Sequence, residues 1–118
     1  MKKAIIYARV SSSGAQESRQ NTERQVVSLT EYARLNSYEV IKTFEEHISG
    51  GKKNSERTGL LECLNYAKEN KGTTILVSEL SRYGRQIWEV LESIKFCVDN
   101  GINVYFQKEG LELFDGNK

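Results

Sequence analysis

Arg9 and Ser11 stand two residues apart where an apolar, β-prone run, Ala4-Ile5-Ile6-Tyr7-Ala8-Arg9-Val10, gives way to Ser11-Ser12-Ser13-Gly14. Side chains alternate faces along a strand, so Tyr7, Arg9 and Ser11 are predicted on one side and Ala4, Ile6, Ala8 and Val10 on the other. A guanidinium holds a phosphate oxygen in a two-pronged hydrogen bond, and a hydroxyl two residues on stays within reach of the phosphorus. Read alone, Ser11 to Gly14 is equally a turn whose hydroxyls satisfy the backbone. A second cationic cluster follows a later apolar run: Ser81-Arg82-Tyr83-Gly84-Arg85 sits beyond Thr74-Ile75-Leu76-Val77. One helical turn places Arg82 and Arg85 on a common face. Cations at a helix start are slightly unfavourable, which tilts the pair from surface charge toward function.

Three arginines around one serine is the wrong company for a peptidase or esterase, which needs a general base and an oxyanion hole for a carbonyl. The sole histidine, His47, lies in a polar segment with no sign of serving Ser11. Arginines suit a phosphodiester instead, because its transition state carries charge on non-bridging oxygens. Such a site requires no metal, and no carboxylate cluster stands ready to hold one. His47 lacks a companion ligand, and Cys63 and Cys97, in separate helical patterns, read as small buried apolar residues.

The elements that must position these residues follow from apolar periodicity. Gly14 to Arg19 reads as a mobile loop, and Thr22 with Gln25 as a capping box opening a helix. Val26, Leu29 and Ala33 form that helix's inner stripe, flanked by Tyr32 and Leu35. A second strand over Tyr38, Val40, Ile41 and Phe44 is predicted to break at Glu45 and Glu46. Ser49 to Ser55 is turn chemistry with two lysines. A helix from about Ser55 to Asn70 buries Leu60, Leu61, Leu64 and Ala67, and Gly72 follows its end. Thr74 to Val77, apolar on both faces, reads as a central parallel strand. A third helix over roughly Gln86 to Asn100 buries Ile87, Val90, Leu91, Ile94 and Val98 and stops at Gly101. Ile102 to Phe106 is a fourth strand, and Leu111 to Leu113 a short edge strand. The predicted fold is α/β, three-layered, with a mostly parallel four- to five-stranded sheet and helices on both faces. Right-handed crossovers bring the Ser11 loop and the Arg82/Arg85 turn to one rim, where open α/β sheets bind ligands.

The chain has 118 residues, enough for one domain with a real core and too few for two. Its net charge is +1, from 17 basic and 16 acidic residues, so composition alone gives no support for nucleic-acid binding. No apolar run approaches membrane-spanning length and no signal-peptide core is visible; a cytoplasmic location and no membrane partner are the expectation.

These residues together resemble the serine recombinase family, the resolvases and DNA invertases. Tyr7-Ala8-Arg9-Val10-Ser11 is similar to the family's nucleophile motif, and Gln20 to Gln25 to its segment with two glutamines five apart. Ser49-Gly50-Gly51 through Arg57 resembles its second motif, and Leu80-Ser81-Arg82-Tyr83-Gly84-Arg85 its arginine motif. The likeness runs from about residue 3 to residue 113, and the pairing of Tyr-x-Arg-Val-Ser with Arg-x-x-Arg is its specific part. The resemblance implies that Ser11 attacks a DNA phosphodiester and leaves a 5′-phosphoserine link. Arg9, Arg82 and Arg85 would activate the phosphate, with Arg57 contributing. Gln20 and Gln25 would support the site, and Tyr7 and Glu46 would act more peripherally. The substrate would be double-stranded DNA, held by a dimer on one site and a tetramer in the synaptic complex, with no cofactor.

Ser81 stands where the best-known resolvases carry an aspartate, so a carboxylate role there is absent or taken over. Gln20 lies farther from Ser11 than in resolvases, and Glu46 replaces another aspartate. The family's dimerisation helix and helix-turn-helix DNA-binding domain do not follow, so residues 1–118 read as a single catalytic domain, a fragment or truncated product. Two other readings compete. One is a non-catalytic relative that pairs with partners or occupies DNA. The other is a small α/β phosphatase or receiver, disfavoured because neither a Cys-x5-Arg loop nor an acidic pocket is visible.

Overall fold

A computed structural model of the chain describes residues 2–11, 15–48, 58–78 and 87–113, with side chains described for 2–9, 23–46, 60–78 and 91–112. Eight elements alternate along these residues: β1 (Lys2–Ser11), α1 (Ala15–Leu35), β2 (Tyr38–Ile48), α2 (Thr58–Glu69), β3 (Thr73–Val77), α3 (Ile87–Asp99), β4 (Asn103–Phe106) and β5 (Leu111–Leu113). The sheet order is β2-β1-β3-β4-β5; all pairs are parallel except β4 with β5. The expected α/β architecture is what forms, with β3 central.

Alternation along β1 divides the core between the sheet's two faces. Ala4 and Ile6 pack with Leu76 beneath Leu29 and Ala33 of α1. Ile5 and Tyr7 face the other way, against Leu60, Cys63, Leu64 and Ala67 of α2 and Cys97 of α3. Ile5, Ile6 and Tyr7 are completely buried. Each such side chain stabilises the fold by about 1.5–3 kcal/mol through burial alone. Parallel strands align their carboxyl ends, so β1 and β3 both end on one rim.

Several boundaries differ from the sequence-based expectations, for identifiable reasons. The segment expected as a mobile loop, Gly14 to Arg19, is helical from Ala15, which puts Thr22 and Gln25 inside α1 rather than at its start. Ala15, Gln16, Glu17 and Arg19 are good helix formers, yet a polar turn carries no apolar period to read. β2 runs on through Glu45 and Glu46 to Ile48, because Glu46 is buried with a hydrogen-bond partner and does not break the strand. α2 is described from Thr58, the expected start near Ser55 lying outside the described residues, and β4 begins at Asn103 rather than Ile102. On α3 the expected stripe is displaced. Leu91 and Val98 are 59% and 43% exposed, while Ser93 and Cys97 are buried. Ile94 packs against the core as expected, while Leu91 and Val98 lie outside it. Leu61 and Leu35 are likewise exposed. Ile87 and Val90 belong to α3, their side chains outside those described. Gly101, at φ 68, ends α3 as expected, and the next residue's amide, Ile102 N–H, donates back to Cys97 O.

Candidate functional site

Two buried polar contacts fix the carboxyl half of β1. The first engages the backbone. β3 ends opposite Tyr7, with Val77 its last paired residue, so the ladder on that side stops before Arg9. The Gln25 carboxamide of α1 takes its place: Arg9 N–H donates to Gln25 Oε1 and Gln25 Nε2 donates to Arg9 O, each at 3.1 Å. A side-chain amide thus plays the part of a strand's peptide group. Gln25 is itself buried, so water does not compete for either bond.

The second contact joins side chains. Tyr7 Oη donates to Glu46 Oε1 at 2.6 Å, within the interior. Glu46 stands opposite Arg9 in the β1–β2 register. Arg9 is 4% exposed and Glu46 7% exposed. The register thus sets a buried guanidinium and a buried carboxylate on neighbouring strands, and the Tyr7 hydroxyl gives that carboxylate a hydrogen bond away from water. The Glu46 carboxylate lies on the α2 side of the sheet, where its negative charge adds to the effects on the Cys63 thiol. Burial is the leading cause that pushes that thiol up, followed by neighbouring Cys97 and then Glu46. Cys63 therefore stays protonated and structural. Both cysteines are buried free thiols.

Ser11 ends β1 opposite Ile48, and His47 stands opposite Val10. Tyr7 and Arg9 share Ser11's strand parity and lead to it from the buried core. Gln20 lies on α1, which also carries Gln25. The side chains of Ser11 and Gln20 lie outside those described, and Arg57, Ser81, Arg82 and Arg85 lie outside the described residues altogether. The structure therefore brings together Tyr7, Arg9, Gln25 and Glu46 of the expected set. No group of three or more metal-ligating side chains occurs among the described residues, and no described helix is long and apolar enough to cross a membrane.

Residues 4–117 match the model of the family described as "Resolvase, N terminal domain". The chain belongs to that family. The resolvase of transposon Tn552 from Staphylococcus aureus is 33% identical over 109 residues, 92% of this chain and 48% of that protein. The Tn552 DNA-invertase BinR of the same organism is also 33% identical, with 49% of its length covered. This resolvase-family chain thus spans about half the length of the curated relatives it matches. Among solved structures, the N-terminal catalytic domain of TP901-1 integrase superposes with a TM-score of 0.79 at 27% identity, over 94% of this chain and 81% of that one. A resolvase family site-specific recombinase from Streptococcus pneumoniae gives 0.79 at 26% identity, over 95% and 76%. The catalytic domain of the IS607-like serine recombinase ISC1926 TnpA gives 0.72 at 30%, over 88% and 68%.

Sequence spacing marked Gln25 as a helix cap, whereas its partner is a backbone 16 positions away. Nothing local could have shown that contact. Ser28 and Gln107, whose side chains bond each other across 79 positions, carried no sequence signal.

Proposed function

We propose that residues 1–118 form the catalytic domain of a site-specific serine recombinase. Ser11 Oγ attacks a phosphodiester of double-stranded DNA. The Oγ–P bond forms as the P–O3′ bond breaks, the departing 3′ oxygen takes up a proton, and a 5′-phosphoserine link remains. Rejoining reverses the step with a different 3′-hydroxyl, so no cofactor is invoked. Arg9, Arg82 and Arg85 neutralise the charge that gathers on the non-bridging oxygens, and Arg57 contributes from the segment before α2. Gln25 and the Tyr7–Glu46 pair hold the backbone and side chain of Arg9 in place. Gln20 and Ser81 complete the contacts to substrate. Within its full-length protein the domain works as a dimer on one DNA site and as a tetramer when two sites are joined.

The observation that carries this reading is Arg9: a buried guanidinium two residues before a serine, with its backbone clamped and a carboxylate opposite. Burial of that kind is costly and suits a group whose position must not vary. The relatives are named as a resolvase, a DNA-invertase and an integrase, which supports strand transfer as the shared chemistry.

The test is covalent capture. The full-length protein is incubated with labelled DNA from its own genetic neighbourhood, denatured, and examined for a protein–DNA adduct. An adduct is expected with the native protein and none with Ser11→Ala. DNA binding with no adduct from the native protein would replace this reading with that of a non-catalytic relative, with Ser81 the first residue to test.

A further inference from the structure

The turn joining β4 to β5 lies against the end of β3, one of the two strands that lead to the candidate site. Its backbone continues the β3–β4 ladder beyond the last paired residues, Val77 and Phe106. Gln107 N–H donates to Val77 O and Lys108 N–H to Ser78 O, both at 2.8 Å. Gly110, at φ 62, closes the turn by donating its N–H to Gln107 O. Ser78 immediately precedes the segment that leads to Ser81, Arg82 and Arg85, so this turn holds the backbone entering the arginine motif. The same residue reaches the other side of the site. Ser28 Oγ donates to Gln107 Oε1 at 3.1 Å. Ser28 lies one helical turn beyond Gln25 on α1, and residues three apart share a helix face. One helix therefore carries both attachments: α1 holds Arg9 through Gln25 and, one turn on, holds Gln107 and with it the end of β3 through Ser28.

We propose that Gln107 is a positioning residue of the recombinase site, bracing the exit of β3, the strand that precedes the arginine motif in sequence, against the helix α1 that clamps Arg9. Its catalytic consequence rests on the phosphoserine reading above; its mechanical part does not. The mechanical part matters because the reacting groups come from two different strands, and a misplacement of about 1 Å can slow a positioned reaction roughly a hundredfold. The Ser28–Gln107 bond is exposed, so water takes over part of its role when it is removed. A graded effect is expected, not a complete loss.

The experiment compares Gln107→Leu, Gln107→Glu, Ser28→Ala and the double variant Ser28→Ala/Gln107→Leu in the full-length protein. Amide hydrogen exchange is the first readout and needs no DNA. Gln107→Leu and Ser28→Ala should each speed exchange at Arg9 and at Lys108 by roughly three- to tenfold, the range of one ordinary net hydrogen bond. Ile5 and Ile75, in the ladder of the sheet, should not change. Gln107→Glu keeps an acceptor oxygen for Ser28 and should restore the native pattern, and the double variant should be no worse than the worse single. The second readout is the rate of adduct formation at saturating DNA, expected to fall by a similar factor with DNA affinity and thermal midpoint unchanged. Unchanged exchange at Arg9 in both single variants would overturn the brace. Altered exchange with an unchanged adduct rate would overturn the positioning role. Altered exchange in the variants, together with a native protein that binds DNA and never forms an adduct, would refute the phosphoserine reading while leaving the brace established.

Discussion

From Lys3 to Tyr7, β1 has a strand on either side; beyond Tyr7 it keeps β2 but loses β3, and the Gln25 carboxamide stands in for the missing neighbour. The amino half is therefore held by many equivalent contacts, ladder bonds and completely buried Ala4, Ile5 and Ile6. The carboxyl half is held by a few dissimilar ones that come from far away in sequence. Redundant contacts make a rigid base, since no single one decides the geometry. Specific contacts place individual groups, since each fixes one atom. The division suits a strand that must be both scaffold and tool: its first half anchors the sheet, and its second carries Arg9 toward Ser11.

Substitutions can set the two halves against each other. Ile6→Ala should have the largest effect on stability, about 2–5 kcal/mol, because it leaves a cavity between α1 and the sheet. Urea denaturation measures this, and the adduct rate per folded molecule should stay near native. Among the polar contacts that hold the carboxyl half, Tyr7→Phe and Gln25→Leu should cost less in stability, about 1–3 kcal/mol each, the worth of a buried group deprived of its partner. Their adduct rates should fall by more than that stability loss explains. Equal behaviour of Ile6→Ala and Gln25→Leu in both assays would erase the distinction between the halves.

A smaller effect separates them by pH. Near the amino end of β1, Lys2 lies over the Tyr38 ring, and Tyr32 of α1 stacks on Tyr38 and on Tyr105 of β4. Burial, and then the neighbouring Tyr105 and Tyr38, push the Tyr32 hydroxyl up to about 12 from 10.0. The folded state keeps this proton after the unfolded chain has lost it. The associated stability is complete below about pH 10 and is lost as pH rises toward about 12. Urea midpoints across that window should fall less steeply for Tyr32→Phe than for the native chain.

The parts of the fold that repeat were legible in the sequence. β1, β3 and the inner faces of α1 and α2 follow from periods of 2 and 3.6 among Ile5, Ile6, Leu29, Leu60, Leu64 and Ile75. The parts that depend on one contact were not. Glu46 read as a strand breaker because a charge is ordinarily solvated; the Tyr7 hydroxyl, 39 positions away, gives it a partner in the interior. α3 misled in the opposite sense, because Leu91 and Val98 outweigh Ser93 in any hydropathy pattern while lying outside it in space; Cys97 is buried as expected. Of the candidate site, Arg9 was named from its spacing to Ser11, and Tyr7, Gln25 and Glu46 took their site roles from motif resemblance, yet what Gln25 and Glu46 bond to emerges only from the geometry. The first 7 residues of α1 show why boundaries are hard: a helix turn made of polar residues satisfies its own backbone and leaves no apolar trace.

The two buried thiols have a practical consequence. Cys63 and Cys97 are the chain's only cysteines and both are completely enclosed, while thiol-selective dyes attack an accessible thiolate. The native chain is accordingly almost blank to maleimides under folding conditions. A single cysteine introduced at an open position such as Val27, on the outer side of α1, would carry a fluorophore at one defined place, so the proposed binding of DNA could be tested in real time without first stripping the protein of its own sulfur.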